Sequence, residues 1–180
     1  TARSEELTYN HRGRIVASSQ KTSIEQPGSM SGRADGIEYG LDSGLLKLNG
    51  NVQVQTAGQA SLEAGAAVFN QKENWTTMAA GVFIQSETGW IRGAAGRADL
   101  EPNTYKPKTV TLEGDVTGQL RTRDGRNSWT VRSNWIDAAI SPAGSAERVK
   151  TRGNVVVEEL GGGGRRLDGG EIDATLNAAG

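Results

Sequence analysis

The stretch Leu45–Gln55, LLKLNGNVQVQ, constrains this chain more than any other. Leu46, Leu48, Val52 and Val54 share one parity around Gly50, while Lys47, Asn49, Asn51, Gln53 and Gln55 take the other. Alternation at period 2 marks a strand with one dry and one wet face, because successive side chains point to opposite sides of a sheet. A glycine at the centre of such a strand marks a bulge or a bend. The pattern recurs, as Met78, Ala80, Val82 and Ile84, then Val110, Leu112, Gly114 and Val116, then Val149, Gly153, Val155 and Val157. The central positions 50, 80, 114 and 153 lie 30, 34 and 39 residues apart.

A second kind of strand precedes each copy. GRADGIEYGL at 32–41 carries Ile37 and Tyr39, and SLEAGAAVFN at 61–70 carries Val68. GRADLE at 96–101 and SNWIDAAI at 133–140 follow. GGEIDATL at 169–176, with Ile172, Ala174 and Leu176, ends the series, and LTYNHRGRIV at 7–16, with Leu7 and Tyr9, reads as a worn copy at the start. A two-strand unit repeated in fixed order argues for a stacked or meandering β architecture in which neighbours cover each other's dry faces.

Composition agrees with this and removes several functions. Twenty basic and 21 acidic residues leave a net charge of -1, which gives no field to attract nucleic acid. Hydrophobic residues make up 35% and glycine contributes 25 positions, which suits many half-exposed strands and tight turns better than a thick α/β core. At 180 residues one domain is the default. With no cysteine, disulfides, thiolate chemistry and Cys-based metal sites are excluded. There is no apolar run of about 18 residues that would span a bilayer as a helix. Thr1 in place of a starting Met implies a mature or trimmed chain.

Turn chemistry sets the expected boundaries. SEELTY and RIVASS form a hairpin around Asn10–Gly13, and Lys21–Ser31, with Pro27, Gly28 and Ser29, reads as a loop. Strands are expected over 33–41, 44–55, 59–70, 75–86, 89–101, 109–120, 127–140, 147–160 and 166–177. Pro102 and Pro107 break the chain, and Asp124-Gly125 and Gly161–Gly164 supply turns. Ten to twelve antiparallel strands result, with almost no helix.

Candidates for bond chemistry are few. His11, the single histidine, sits in the Asn10–Gly13 turn and would have to serve any Ser-His-Asp arrangement alone. Glu158, Glu159, Asp168, Glu171 and Asp173 near the glycine run are similar to calcium-binding Gly/Asp repeats, but offer one ragged copy where a strict recurrence is needed. GGGGRR lacks the Lys-Ser/Thr ending of a phosphate loop. Trp75, Trp90, Trp129 and Trp135 could stack on sugars or simply pack between strands. No metal ligand set and no cofactor motif emerges.

What remains is the apolar stripe: Leu46, Leu48, Val52, Val54, Met78, Val82, Ile84, Val110, Leu112, Val116, Val155 and Val157, aliphatic and interleaved with Gly and Ala. It forms either an ordinary sandwich core or a long narrow seam that could hold acyl chains. GRADGIEY with LLKLNGNVQVQ, and GRADLE with TVTLEGDVTG, resemble the OstA-like periplasmic lipopolysaccharide-export proteins, the A- and C-type components of the Lpt transport bridge. The likeness runs over Ala34, Asp35, Ile37 and Tyr39 with Leu46, Leu48, Gly50, Asn51, Val52 and Val54. It runs again over Ala98, Asp99 and Leu100 with Val110, Leu112, Gly114, Asp115 and Val116, and partly over Gly153, Asn154, Val155 and Val157. It covers about 30–160, and Ala80-Gly81-Val82 departs from the expected Gly-Asn-Val.

The resemblance implies an all-β fold, an antiparallel sheet folded over into a β-taco or β-jellyroll, here as one domain over 1–180. It implies a non-enzymatic, cofactor-free, periplasmic bridge component that holds lipid A chains of lipopolysaccharide in an apolar groove. The stripe residues, with Ile37, Tyr39 and Val68, would line that groove. It also implies head-to-tail strand addition to other bridge components or to copies of itself, through Glu5–Tyr9 (Glu5, Leu7, Tyr9) and Glu171–Leu176 (Ile172, Ala174, Leu176). C-type members carry an N-terminal membrane helix tethering them to the inner membrane and A-type members a cleaved signal; this sequence has neither, which leaves both types open. The alternatives from the residues alone are a structural or adhesive β-solenoid with a sealed interior, and a carbohydrate-acting β-helix with acids and tryptophans in one groove.

Overall fold

A computed structural model describes the chain except for residues 27, 29, 57–59, 122–127, 143, 145, 162, 163 and 176–180. Sixteen strands make one antiparallel sheet, with no helix among the described residues. They are β1 Ala2–Ser4, β2 Thr8–Asn10, β3 Ile15–Ser18, β4 Thr22–Gln26, β5 Met30–Ala34, β6 Gly36–Gly40, β7 Leu45–Thr56 and β8 Ser61–Asn70. There follow β9 Trp75–Ala79, β10 Val82–Ser86, β11 Gly89–Gly93, β12 Ala95–Leu100, β13 Pro107–Arg121, β14 Ser128–Ile140, β15 Ala146–Leu160 and β16 Arg166–Thr175.

The pairing reduces these to eleven passes in chain order. Five passes are broken in the middle, as β1/β2, β3/β4, β5/β6, β9/β10 and β11/β12, and six run through. Every pass meets the next on both sides of its midpoint: β7, for example, pairs β5 with its second half and β6 with its first. The midpoints align into one fold line dividing the sheet into two limbs. The first limb runs β1-β4-β5, then halves of β7 and β8, β10, β11, then halves of β13 to β16; the second runs β2-β3-β6, the other halves, β9 and β12. Ten to twelve was therefore the number of passes, and the fold line accounts for the higher strand count.

The fold line is written in backbone conformation. Gly50 and Asn51, Ala80 and Gly81, Gly114 and Asp115, and Gly153 and Asn154 all have positive φ, between 45° and 83°. Glycine adopts this region freely, and Asn and Asp tolerate it best among the rest. At Gly50-Asn51 two residues oppose Gly65 alone, since Asn49 pairs Ala66 and Val52 pairs Ala64. That two-against-one count is a β-bulge, which bends the strand. A two-residue crossing preserves side-chain parity, so Leu48 and Val52 both face inward. A one-residue crossing switches it, so Ala64 and Ala67, or Ser133 and Ile136, are buried three apart. The two kinds of strand in the repeat are these two kinds of crossing.

Close packing at the line requires one small partner in each pair. A Cβ at Gly114 would sit 2.7 Å from the Ala94 Cβ, and one at Gly153 2.7 Å from Asn134 Nδ2. In the second unit the roles reverse: Ala80 occupies the bulge, and it is Gly65 whose Cβ would meet the Ala80 Cβ at 2.6 Å. Ala80-Gly81-Val82 is thus the same bend with the glycine moved to the neighbouring strand.

Three expectations need correction. Lys21–Ser31 is not a loop, because Thr22–Gln26 and Met30–Ala34 pair from Thr22–Ala34 to Gln26–Met30; of the Pro-Gly-Ser signal, Pro27 and Ser29 lie outside the described residues. Val68 faces outward, opposite Lys47 and Thr77, while Ala67 and Phe69 are buried. The parity switch at Gly65 is the cause. Glu5 and Leu7 lie between β1 and β2, where the first pass crosses the fold line, so only Tyr9 of that trio is in an edge strand. Leu176, Asp124-Gly125 and two of the four residues in Gly161–Gly164 lie outside the described residues.

Candidate functional site

The interior is aliphatic and graded. Along the fold line Leu48, Val52, Val82, Leu112, Val116 and Val155 are the most deeply buried side chains, with Met78, Ala34 and Ala64 beside them. Register aligns them across strands: Ile37 faces Leu48, Leu48 faces Ala67, and Ala67 faces Met78. In the second limb Ile37 and Ile136 are buried next to the line, and burial continues away from it at Leu46, Phe69, Ala98 and Leu100. Tyr39, Tyr105, Val110 and Val149 pack against this cluster at its margin, with Tyr39 Oη donating to Gln71 Oε1 at 3.0 Å.

The first limb is different. Beyond the fold line its inward residues Ile24, Met30, Leu62, Ile84, Ile91 and Val157 are only partly buried, although all pack against the same core. They form a row by register: Ile24 with Gly32, Gly32 with Val54, Val54 with Leu62, Leu62 with Ile84, and Ile84 with Ile91. On the far side Val131, Val157 and Leu167 extend it, and Leu167 on the last strand is 57% exposed. Gly32 and Gly118 in this row leave no side chain above the backbone. The arrangement is an apolar trough with a sealed floor and one partly exposed wall, in which Val54 and Val131 stay buried.

The expected groove residues other than Val68 all face this interior. Ile84 and Val157 belong to the half-exposed wall, and most of the others line the fold line or the second limb. Ile24, Met30, Leu62, Ile91 and Val131 were missed. Ile24 and Met30 fell in the supposed loop; Leu62, Ile91 and Val131 lie on strands of the parity-switching kind, where alternation breaks.

At the lip of the first limb the interior turns polar. Trp129 pairs Leu120 and Glu159 in an inward row one step beyond Val131 and Val157. The Glu159 side chain is 4% exposed and accepts from Arg165 Nε at 2.9 Å, while the Arg165 side chain is 74% exposed. The Arg165 guanidinium also stands 5.9 Å from the Trp129 ring centroid.

The remaining polar candidates do not converge. Arg166 joins Glu158 and Asp168, Arg152 meets Glu171, and Arg148 and Lys150 meet Asp173, as a ladder between the last two strands on the outer face. Hydrogen bonds from Arg166 and Arg148 hold the Asp168 and Asp173 carboxyls below their ordinary value of 3.8 and raise both arginines. Among the described residues no three acidic or histidine side chains form a cluster able to hold a metal ion. His11 lies exposed in its turn, its ring tilted 37° to that of Tyr9 with centroids 5.7 Å apart. Trp75, Trp90 and Trp135 sit apart on the outer face, each with an arginine over its ring. A concavity of about 450 Å³ on the first limb is lined by the outward row Arg3, Ser23, Arg33, Gln53 and Glu63 together with Ile24, Val54 and Leu62.

Sheet, fold line and trough together define a folded-over antiparallel β-jellyroll, the β-taco, with an apolar interior. Among solved structures the chain is similar to LptH, the LptA-homologous periplasmic component of the conserved lipopolysaccharide transport device from Pseudomonas aeruginosa, with a TM-score of 0.53 and 14% identity over 67% of this chain and 84% of that one. At that identity the likeness is one of fold. No protein-family model matches the chain, and no curated protein matches it by sequence.

Proposed function

We propose that this chain is a periplasmic, non-enzymatic component of a lipopolysaccharide-transport bridge, and that residues 1–180 act as one β-jellyroll module holding lipid A acyl chains in the trough. The observation that carries this reading is the half-exposed aliphatic wall of Ile24, Met30, Leu62, Ile84, Ile91 and Val157, set inside a fold shared with a lipopolysaccharide-transport component. Each methylene moved from water into such a wall gains about 0.8 kcal/mol, so a chain of about a dozen gains on the order of 10 kcal/mol. Only burial of that order lets a carrier hold what a membrane offers. A row of similar aliphatic positions keeps successive sites close in energy, so cargo can advance when pushed.

The two ends of the meander supply the assembly surfaces. Among the described residues β2 pairs only β3 and β16 only β15, so the outer hydrogen-bonding edge of each has no described partner, with Tyr9 53% and Leu167 57% exposed beside them. Free edges template strand addition, and head-to-tail addition between like modules builds a filament. Tyr9, Ile172 and Ala174 would contact the neighbouring component.

The test is binding of purified lipopolysaccharide to wild type and to Ile84→Asp and Ile91→Asp variants, with Phe83→Asp on the opposite face as control. Loss in the first two with retention in the control supports the trough. Retention in all three, or no binding by folded wild type, moves the reading to a structural β-solenoid.

A further inference from the structure

The lip of the first limb carries a charged group held in a way that surface ion pairs are not. Glu159 faces inward, two residues or about 6.6 Å along β15 from Val157, and its side chain is 4% exposed. A carboxylate buried beside an apolar wall is costly unless it is paired. Its partner Arg165 is fixed twice to the same residue: Nε donates to Glu159 Oε2 at 2.9 Å, and the Glu159 N–H donates to the Arg165 carbonyl at 2.8 Å. The Trp129 face backs the guanidinium at 5.9 Å. Among the described residues only Nε is engaged, which leaves the two Nη groups, with four N–H donors, without a described partner on a side chain that is 74% exposed. The carboxylates of the neighbouring ladder, by contrast, are 37% to 57% exposed.

We propose that Arg165, oriented by Glu159 and Trp129, is an anion-recognition site for the phosphate-bearing head of an amphiphile whose chain lies on the open wall at Val157. The inference rests on the acyl-binding reading of the trough and adds the headgroup chemistry. A chain seated on that wall brings its head to the lip within a strand step or two. There a planar guanidinium offers a two-pronged donor to phosphate oxygens, the geometry for which arginine is suited. Glu159 is a positioning residue: it stops the long side chain from sampling other rotamers.

The experiment measures binding of decyl phosphate, 1-decanol and inorganic phosphate to wild type, Arg165→Gln and Glu159→Gln, with circular dichroism confirming the fold of each. Wild type is expected to favour decyl phosphate over decanol about tenfold, by a charge-assisted bond made only with the former. Arg165→Gln should bind the two alike with decanol affinity unchanged. Glu159→Gln should also lose preference if positioning governs; a stronger preference, as added local positive charge alone predicts, would overturn the positioning role. Equal wild-type affinity for the two amphiphiles overturns the site and leaves the trough standing. Failure of both amphiphiles to bind overturns the trough and the site with it. Tight, Arg165-dependent binding of inorganic phosphate would mean a free-ion site, not a headgroup site.

Discussion

The two limbs are made from the same passes by the same bends, yet they finish differently. In the second limb Leu46, Phe69, Ala98 and Leu100 remain buried at or beyond the second interior position from the fold line, beside partly buried Val110 and Val149. At the corresponding depth the first limb presents Leu62, Ile84 and Ile91, all partly exposed, beside buried Val54 and Val131. The second limb is closed by large side chains and by Tyr39 and Tyr105 at its margin, whereas the first has Gly32 and Gly118 in its wall and no inward aromatic before Trp129. The second limb is the more fully closed, and the first leaves part of its apolar face open. Identical strand patterns thus end in different packing, set by side-chain volume on one face.

Substitutions separate the roles. The largest effect is expected at the fold line, where Leu112→Ala leaves a cavity in the deepest packing and should cost about 3 kcal/mol by denaturant titration. Ile84→Ala on the open wall should cost about 1 kcal/mol while weakening amphiphile binding; equal costs at the two sites would erase the distinction between floor and wall. Next comes Gly65→Ala, which drives a Cβ against Ala80 and should cost about 1 to 3 kcal/mol. Adding Ala80→Gly should recover part of that loss, because the close pair then again holds one glycine. Absence of any recovery would show that the two positions do not share one steric constraint.

The smallest effect is expected at the outer ladder. Asp168 on the first limb and Asp173 on the second have lowered values, so their contribution is present above 3.8 and is lost as pH falls through the lower values of the folded state. These are exposed pairs, worth little individually. Amide exchange should therefore quicken slightly in β16 below about pH 4 and scarcely change at the fold line. Acid-induced opening of the fold line first would reverse this order.

Much of this was legible in the sequence. Gly50-Asn51-Val52, Gly114-Asp115-Val116 and Gly153-Asn154-Val155 each join two residues suited to positive φ with a valine that becomes deeply buried, so a single motif gave both the bend and the seam. The Ala80-Gly81 copy read as a departure because its compensation lies on another strand, at Gly65. Val68 was misplaced because one-residue crossings switch the inward parity, and nothing within SLEAGAAVFN marks where that happens. The open wall was the least legible part. Its exposure depends on how far the opposite limb covers it, a property of both limbs that no single strand carries. Glu159 and Arg165 were likewise visible as charges but not as an inward-facing pair, since hairpin register brings them together.

The most direct test of the account is site-specific photocrosslinking to lipopolysaccharide from Leu62, Ile84, Ile91 and Val157 on the open wall. Leu46 and Phe69 serve as sealed-limb positions, and Lys47, Gln53, Phe83 and Thr117 as outward controls. The account predicts adducts at the first four, few at Leu46 and Phe69, and none at the controls. Labelling spread equally over both limbs, or confined to the outward face of a folded protein, would contradict it.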